Sequence, residues 1–501
     1  MNYKPTIGLE IHIELNTKSK MFCSCLNDSN ETKANKNVCP VCLGHPGTLP
    51  VANKKAIEKL VKTALALNCK INKESFFERK NYFYPDLPKG YQISQYQMPL
   101  SENGYLDLPE NKKRINITRI HMEEDTGSLV HPCGTDYSLV NFNRSSVPLM
   151  ELVTEPDLET ASEVKEFIKE LQLILKYLNV SNANMEKGEM RCEVNISLAL
   201  KNAKEFGTKV EIKNLNSIAV AGMAVDYEVN RQAEILDKKE QVVQETRGWH
   251  DAKKATFSQR HKEQAHDYRY FPEPDLPKLN LNDDFIEAIK KELPELPSQK
   301  RERFKKEYGL NESDIEVFIG KKSLAGFFEN TMSELAEWVG SEKGKDIKEI
   351  EIKKLAKITA NYLISDLLGL IRELSGEDAI ALFSGKNVNF KASPENFAEF
   401  VKKIYLKEIS SKIAKIVLEK MVQTGKDPSH IIREENLSPI SDIGEVELIA
   451  KEAIKENPKP AQDYKDGKQA SLQFLIGQVM AKSKGKASPD IAKETLIKLL
   501  K

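Results

Sequence analysis

Residues 7–15 alternate without a break: Ile7, Leu9, Ile11, Ile13 and Leu15 fall on one side of an extended chain, Gly8, Glu10, His12 and Glu14 on the other. Side chains of a strand point to opposite faces with period two, so one face belongs to a core and the other shows carboxylates around an imidazole. A merely solvated face is expected to mix lysine, threonine, serine and glutamine. A carboxylate-imidazole-carboxylate row points instead to a cation or an acid/base centre. Residues 190–198 repeat the construction, with Met190, Cys192, Val194, Ile196 and Leu198 on the apolar side and Arg191, Glu193, Asn195 and Ser197 on the polar side.

Between and after these strands lie His121-Met-Glu-Glu-Asp125, Pro148-Leu-Met-Glu-Leu152 and Glu211-Ile-Lys-Asn-Leu-Asn-Ser217, then Arg247, Arg260 and Arg269. Carboxylates that hold divalent ions, faced by cations that hold phosphate oxygens, are the parts of a phosphoryl-transfer site, where catalysis is mostly positioning and charge neutralisation. The implied shape is an acidic and basic basin on an antiparallel sheet.

With 501 residues, two to four domains are expected, with ample core. Hydrophobic residues make up 40% and no apolar run is long enough to span a bilayer, so an integral membrane protein is excluded. The first strand begins almost at the first residue, which leaves no room for a leader and gives a cytoplasmic expectation. Formal net charge is zero, so any nucleic-acid contact relies on local basic patches.

Seven cysteines are too few for a disulfide scaffold in a chain of this size. Four cluster as Cys23-x-Cys25 and Cys39-x-x-Cys42, two chelating turns that resemble a structural zinc knuckle over loop 23–42. A closed shell of four sulfurs braces a loop and does no chemistry. Cys69, Cys133 and Cys192 are scattered.

Up to residue 293 the chain is strand-rich, with a turn signal at Glu102-Asn103-Gly104; from Pro294 onward it is charged and helical. Residues 294–405 read as a helical domain and 406–501 as a small all-α tail, in which Ile413, Ile416, Val417 and Met421 have helical spacing. Phe474-Leu-Ile-Gly-Gln-Val-Met480 leads into Lys482, Lys484 and Lys486, a comb that is either plain surface or a set of phosphate contacts.

Seven blocks carry a resemblance: IGLEIHIEL, CPVCLGHPGTLPV, RKNYFYPDLPKGYQISQ, IHMEEDTGS, NRSSVPLMELVTEPDL, EIKNLNS and DYRYFPEPDLP, in order from Ile7 to Pro277, with FLIGQVM near the end. Together they resemble the GatB family, one of the component chains of the tRNA-dependent amidotransferases. That resemblance implies an α+β chain: a glutamine-synthetase-like cradle with an antiparallel sheet, a helical domain, and a tail like the YqeY tRNA-binding module. It implies an ATP- and magnesium-dependent ligase that phosphorylates the side-chain carboxylate of Glu on tRNA(Gln) or Asp on tRNA(Asn), then amidates it with ammonia. The ammonia comes from the glutaminase chain GatA, with GatC completing a heterotrimer.

Carried onto this sequence, the resemblance gives Glu10, His12, Glu124 and Glu151 as the magnesium set and Glu193 adjoining, with Glu123 or Asp125 as substitutes for Glu124. Arg191, Lys213, Asn214, Arg247 and Arg260 are candidates for phosphate or substrate positioning. Lys80, Tyr82 and Tyr84 are candidates for the ammonia path, and the lysine comb for tRNA. The chain departs from the family pattern at 27–37, where the loop between the cysteine pairs differs, at Glu193, where Asp is usual, and in a charged stretch at 338–352.

Overall fold

The alternating segment forms strand β1, Tyr3–Glu14, and its five apolar residues are at most 1% exposed. In the computed structural model, which describes residues 2–28, 30–261, 268–343, 349–375, 391–437, 443–483 and 486–500, β1 is the middle strand of nine. The others are β2 (Lys70–Ile71), β3 (Ser101–Leu108), β4 (Lys113–Glu124), β5 (Pro148–Thr154), β6 (Met190–Leu200), β7 (Val210–Leu215), β8 (Glu245–His250) and β9 (Ala255–His261). Their spatial order is β9-β8-β7-β6-β1-β5-β4-β3-β2. Every pairing is antiparallel except β7 with β8.

Three helices cover one face. Each starts at a side chain that satisfies otherwise orphaned N–H groups: Asn53 before α1 (Lys54–Ala66), Thr160 before α2 (Ala161–Tyr177) and Ser217 before α3 (Ile218–Asp237). Glu163, three residues after Thr160, turns back to accept the N–H of Glu159, the residue before the cap, at 2.8 Å. Leu60 and Val61 of α1, Phe167 and Leu171 of α2, and Ala221 and Val225 of α3 join Ile7, Leu9, Ile11 and Ile13 in one core. Since an antiparallel sheet needs only one buried face, the polar face is left for other work. A small sheet of Glu78–Asn81, Tyr91–Ser94 and Phe271–Pro272 carries part of its wall.

The Glu102-Asn103-Gly104 signal is not a turn. It lies inside β3, with Asn103 at φ 55°. A Cβ on Gly104 would stand 2.2 Å from Cys69 Sγ and 2.8 Å from the Leu67 carbonyl oxygen. The glycine is there for close backbone approach, which local composition does not distinguish from a hairpin.

The chain divides into two compact units, Met1–Pro297 and Ser298–Lys501. The second is helical. Its helix Ser411–Thr424, capped by Ser410 and ended by Gly425 at φ 76°, buries Ile413, Val417 and Met421 as their spacing predicts. Ile443–Glu456, Gln469–Lys482 and Pro489–Leu500 share a core of Val446, Ala450, Leu475, Val479 and Leu496. A sheet-bearing unit followed by helices is the α+β arrangement expected from the sequence. No helix among the described residues is long and apolar enough to cross a membrane.

Candidate active site

Register assembles the polar face. His12 stands opposite Arg191 of β6 and Glu151 of β5, Glu151 opposite His121 of β4, and Glu10 opposite Glu193. Directly opposed residues on one face of a sheet have Cβ atoms about 5 Å apart, so four strands deliver their charged side chains to one place. His12 Nε2 lies 3.4 Å from Glu123 Oε1, 3.5 Å from Glu151 Oε2 and 4.0 Å from Glu10 Oε1. His121 Nε2 lies 3.4 Å from Glu151 Oε2, and Lys213 Nζ 2.9 Å from Glu193 Oε2. These groups floor a cavity of about 830 Å³, whose wall includes Lys80, Tyr82, Tyr96 and Tyr270. Tyr96 and Tyr270 stack with ring centroids 4.7 Å apart.

Crowded carboxylates set the electrostatics. Burial and the facing Glu151 lift the Glu10 carboxyl to about 7. Burial alone would lower His12, but its hydrogen bonds to Glu123 and Glu151 outweigh that and hold its imidazolium well above the ordinary value. Burial would raise Glu151, yet His121 and His12 pull it well below the carboxylate range. Lys80 also stays charged, because Glu123, Tyr270 and Glu151 outweigh its burial.

The residues fit a divalent cation. Ligand atoms of Glu10, His12 and Glu151 lie within 4.8 Å of one another, as do those of His121, Glu123 and Glu151 and those of Glu10, Glu193 and Glu211. Oxygen-rich sets of this kind suit magnesium or manganese. His121 Nδ1 and Arg119 Nε are buried without a hydrogen-bond partner. Buried polar atoms are normally satisfied, and both residues that carry these two orphans line the basin.

Not every expected residue reaches the basin. Glu10, His12, Glu151 and Glu193 do, as do Arg191, Lys213, Lys80 and Tyr82. Glu124 does not: Arg119, His121 and Glu123 share the basin face of β4, so the next residue points the other way. There Lys89 Nζ lies 2.7 Å from Glu124 Oε1, and Oε1 accepts the Ile93 N–H at 3.0 Å. Glu123 takes its place beside His12.

Arg247 also faces away. The register of β8 shifts between Thr246 and Arg247, and the guanidinium turns toward α3, where it meets Glu245, Thr256 and Glu228. Asn214 is exposed, in left-handed conformation (φ 63°) beside an irregularity in the β6–β7 pairing. Arg260 pairs with Thr246 through its backbone, and its side chain lies outside the described residues. Tyr84 is 59% exposed and is not part of the basin wall. In the second unit, Lys482 is held by Glu456 at 2.7 Å and Glu452 at 3.5 Å, Lys486 is half-buried, and Lys484 lies outside the described residues. Of the two described lysines of the comb, one is thus engaged with carboxylates of its own unit and the other is half-buried.

The sulfur atoms of Cys23, Cys25, Cys39 and Cys42 gather within 4.8 Å of one another, a cluster compatible with a structural zinc. The Cys39 N–H donates to Cys42 Sγ at 3.2 Å, and the fully buried Lys20 places Nζ 3.8 Å from the same sulfur. Hydrogen bonding from Cys23 drives the Cys42 thiol down to about 5, while burial pushes Cys25 up to about 11. A bound cation would favour the ionised form of all four thiols, because the thiolate is the metal ligand.

Arg119 and His121 escaped the sequence reading as members of the floor, and Asp125 entered it only as a substitute for Glu124. Their signal was present, since they and Glu123 stand at positions i, i+2, i+4 and i+6, the alternation that identified β1.

Residues 5–287 match the family model described as the GatB/GatE catalytic domain, and residues 347–500 the one described as the GatB domain. The chain is similar to the B subunit of the aspartyl/glutamyl-tRNA(Asn/Gln) amidotransferase of Persephonella marina, 47% identical with 100% of both chains covered. It is 46% identical to that of Caldicellulosiruptor saccharolyticus, covering 99% of this chain and 98% of the relative. To that of Thermotoga maritima it is 44% identical, covering 100% and 99%.

Proposed function

Because the chain belongs to the GatB family of tRNA-dependent amidotransferase subunits, we propose that its basin activates the side-chain carboxylate of Glu on tRNA(Gln), or Asp on tRNA(Asn), for amidation. The observation that carries this reading is the meeting of His12 with Glu10, Glu123 and Glu151 within 4.0 Å, on a floor that also holds Arg191 and Lys213. A carboxylate is a poor electrophile. Attack of its oxygen on the γ-phosphorus of ATP breaks the β–γ bridge, releases ADP and leaves an acyl phosphate; ammonia then forms the C–N bond, phosphate departs and a proton is lost.

Glu10, His12, Glu123 and Glu151 would hold magnesium, with Glu193 at the margin. The ion, when bound, neutralises the phosphate oxygens. Arg191, Lys213 and Arg119 orient phosphates and the substrate carboxylate. The aromatic wall of Tyr82, Tyr96 and Tyr270 excludes water, which competes with ammonia for the acyl phosphate. Lys80 and Tyr82 form the polar side through which ammonia arrives from the glutaminase chain GatA, in a complex completed by GatC. The 406–501 tail engages the body of the tRNA, mainly by shape and backbone contacts. A zinc held by Cys23, Cys25, Cys39 and Cys42 braces the loop beside the basin.

The test is phosphate release from labelled ATP by the assembled complex, offered each misacylated tRNA in turn. Release that requires one of them is expected. Release without any tRNA would indicate a ligase for a small metabolite. Undiminished transamidation by Glu151→Gln would reduce the chain to a tRNA adaptor.

A further inference from the structure

A buried thread runs from the cysteine loop to the floor of the basin. Lys20, fully buried beside Cys42 Sγ, also donates to the Phe142 carbonyl at 3.3 Å. Ser145 Oγ donates to the Cys42 carbonyl at 3.0 Å. Asn143, 1% exposed, accepts the Asn37 N–H at 3.0 Å and donates to the Lys33 carbonyl at 2.8 Å. The short turn Phe142–Arg144 is thus fastened to both sides of the cysteine loop.

Arg144 leaves that turn in the opposite direction. Its Nη2 donates to Asp125 Oδ2 at 2.7 Å and is paired with Glu14. The other oxygen of Asp125 accepts from Arg191 Nη2 at 2.9 Å. Asp125 is 4% exposed and has both oxygens engaged, whereas the Arg191 side chain is 42% exposed and opens on the basin opposite His12. Two cations, Arg144 and Arg191, and two carboxylates, Asp125 and Glu14, are thus linked in one chain of ion pairs. Without Arg144, Asp125 and Glu14 lose the cation they share, and Arg191, already paired with Asp125, is the cation left to compensate both. A guanidinium drawn back to the wall has fewer N–H groups to offer a phosphate, and an unanchored one spends rotamer freedom on each encounter.

We propose that Arg144 and Asp125 are positioning residues, which hold Arg191 in place to receive a nucleotide phosphate, and that the cysteine loop is the anchor of this device. Its reach therefore extends from a structural knuckle to the affinity of the active site. The inference rests on the phosphoryl-transfer reading of the basin.

The experiment measures ATP binding by calorimetry, with magnesium present, on the assembled complex. Arg191→Ala, Arg144→Gln and Asp125→Asn are each expected to weaken ATP by about tenfold, in line with other groups that orient a ligand-binding residue. Removal of the knuckle metal by a chelator should do the same. The pair Arg144→Gln with Arg191→Ala should bind no more weakly than Arg191→Ala alone, since the first residue acts through the second. Should Arg144→Gln fail to fold, Arg144→Lys carries the measurement, because it keeps the charge and loses the reach to two carboxylates. Independent, multiplying losses overturn the proposal, as does an Arg144 variant or a stripped complex that binds ATP like the wild type while Arg191→Ala does not. An Arg191→Ala protein with unchanged affinity, or a wild type that binds no ATP, overturns the basin reading itself.

Discussion

His12 and Glu151 stand directly opposite each other on neighbouring antiparallel strands, with Nε2 3.5 Å from Oε2. That carboxylate also faces His121 at 3.4 Å, so one glutamate serves two imidazoles and belongs to two of the basin's three possible ligand sets among the described residues. Glu151→Gln keeps the shape and removes the charge. ATP-dependent phosphate release should fall roughly 100-fold or more, the scale of losing a group that stabilises transition-state charge. Retention of tRNA on a filter should be unchanged, which separates loss of chemistry from loss of fold.

Two adjacent glutamates should behave differently because β4 alternates. Glu123→Gln removes a carboxylate from His12, and the magnesium concentration for half-maximal rate should rise about tenfold. Glu124→Gln leaves Lys89, whose side chain is only 10% exposed, without its partner. Breaking a buried pair of this kind costs about 3–5 kcal/mol. A lowered melting temperature with an unchanged magnesium requirement is expected for Glu124→Gln, and a magnesium titration beside a thermal scan reads both.

This pair also shows how far the sequence reaches. Alternation placed the core side of β1 and β6, and by the same rule could have chosen Glu123 over Glu124, because His121 and Glu123 lie two apart while Glu124 breaks the series. Arg247 and Asn214 are different. A register shift beside Arg247 and a left-handed residue at Asn214 reverse or interrupt the alternation, and bulges depend on pairing with another strand that composition does not reveal. The ion pairs of Lys482 are illegible for a third reason. Its partners Glu452 and Glu456 are at least 26 residues away in sequence, so the ion pair exists only once the tail is folded.

Asp125 supplies a pH signature. Burial would raise its carboxyl, but Arg191 and Arg144 outweigh burial and hold it at about 2, below the usual 3.8. A depressed pKa contributes stability that is fully present above the unfolded value and is lost as pH falls through the folded one. The pH-dependent part is about 2 kcal/mol. The stability advantage of wild type over Asp125→Asn should be greatest above about pH 4 and shrink toward pH 2. Unfolding of the first unit is followed through Trp249 in a Trp338→Phe background, since these are the two tryptophans.

Metal removal should be visible in thiol chemistry. Of the three cysteines outside the knuckle, Cys133 is exposed, and Cys69 and Cys192 are buried. With zinc bound, a thiol reagent should modify Cys133 alone at first. After chelation Cys23, Cys25, Cys39 and Cys42 should join it, with a lower melting temperature, because binding energy at a structural site is folding energy. Four knuckle thiols that react at once in untreated protein would show that no metal closes the cluster.

Glycine positions give a last pair of opposite signs. At Gly104 a methyl group would meet Cys69 Sγ at 2.2 Å and, at 2.8 Å, the Leu67 carbonyl, which as backbone has little room to yield. Gly104→Ala should therefore destabilise by about 1–3 kcal/mol, the cost of overpacking a filled interior. Adding Cys69→Ala removes the sulfur clash and leaves the carbonyl clash, so recovery should be partial. Gly326 lies inside the helix Lys322–Lys343, and a methyl group added there would have nothing within 4 Å. The same substitution then meets no obstacle and restricts the unfolded chain, so it should stabilise by about 0.5–1 kcal/mol. Thermal unfolding of the two variants, shifted in opposite directions, tests whether β3 is held by close approach or by composition alone.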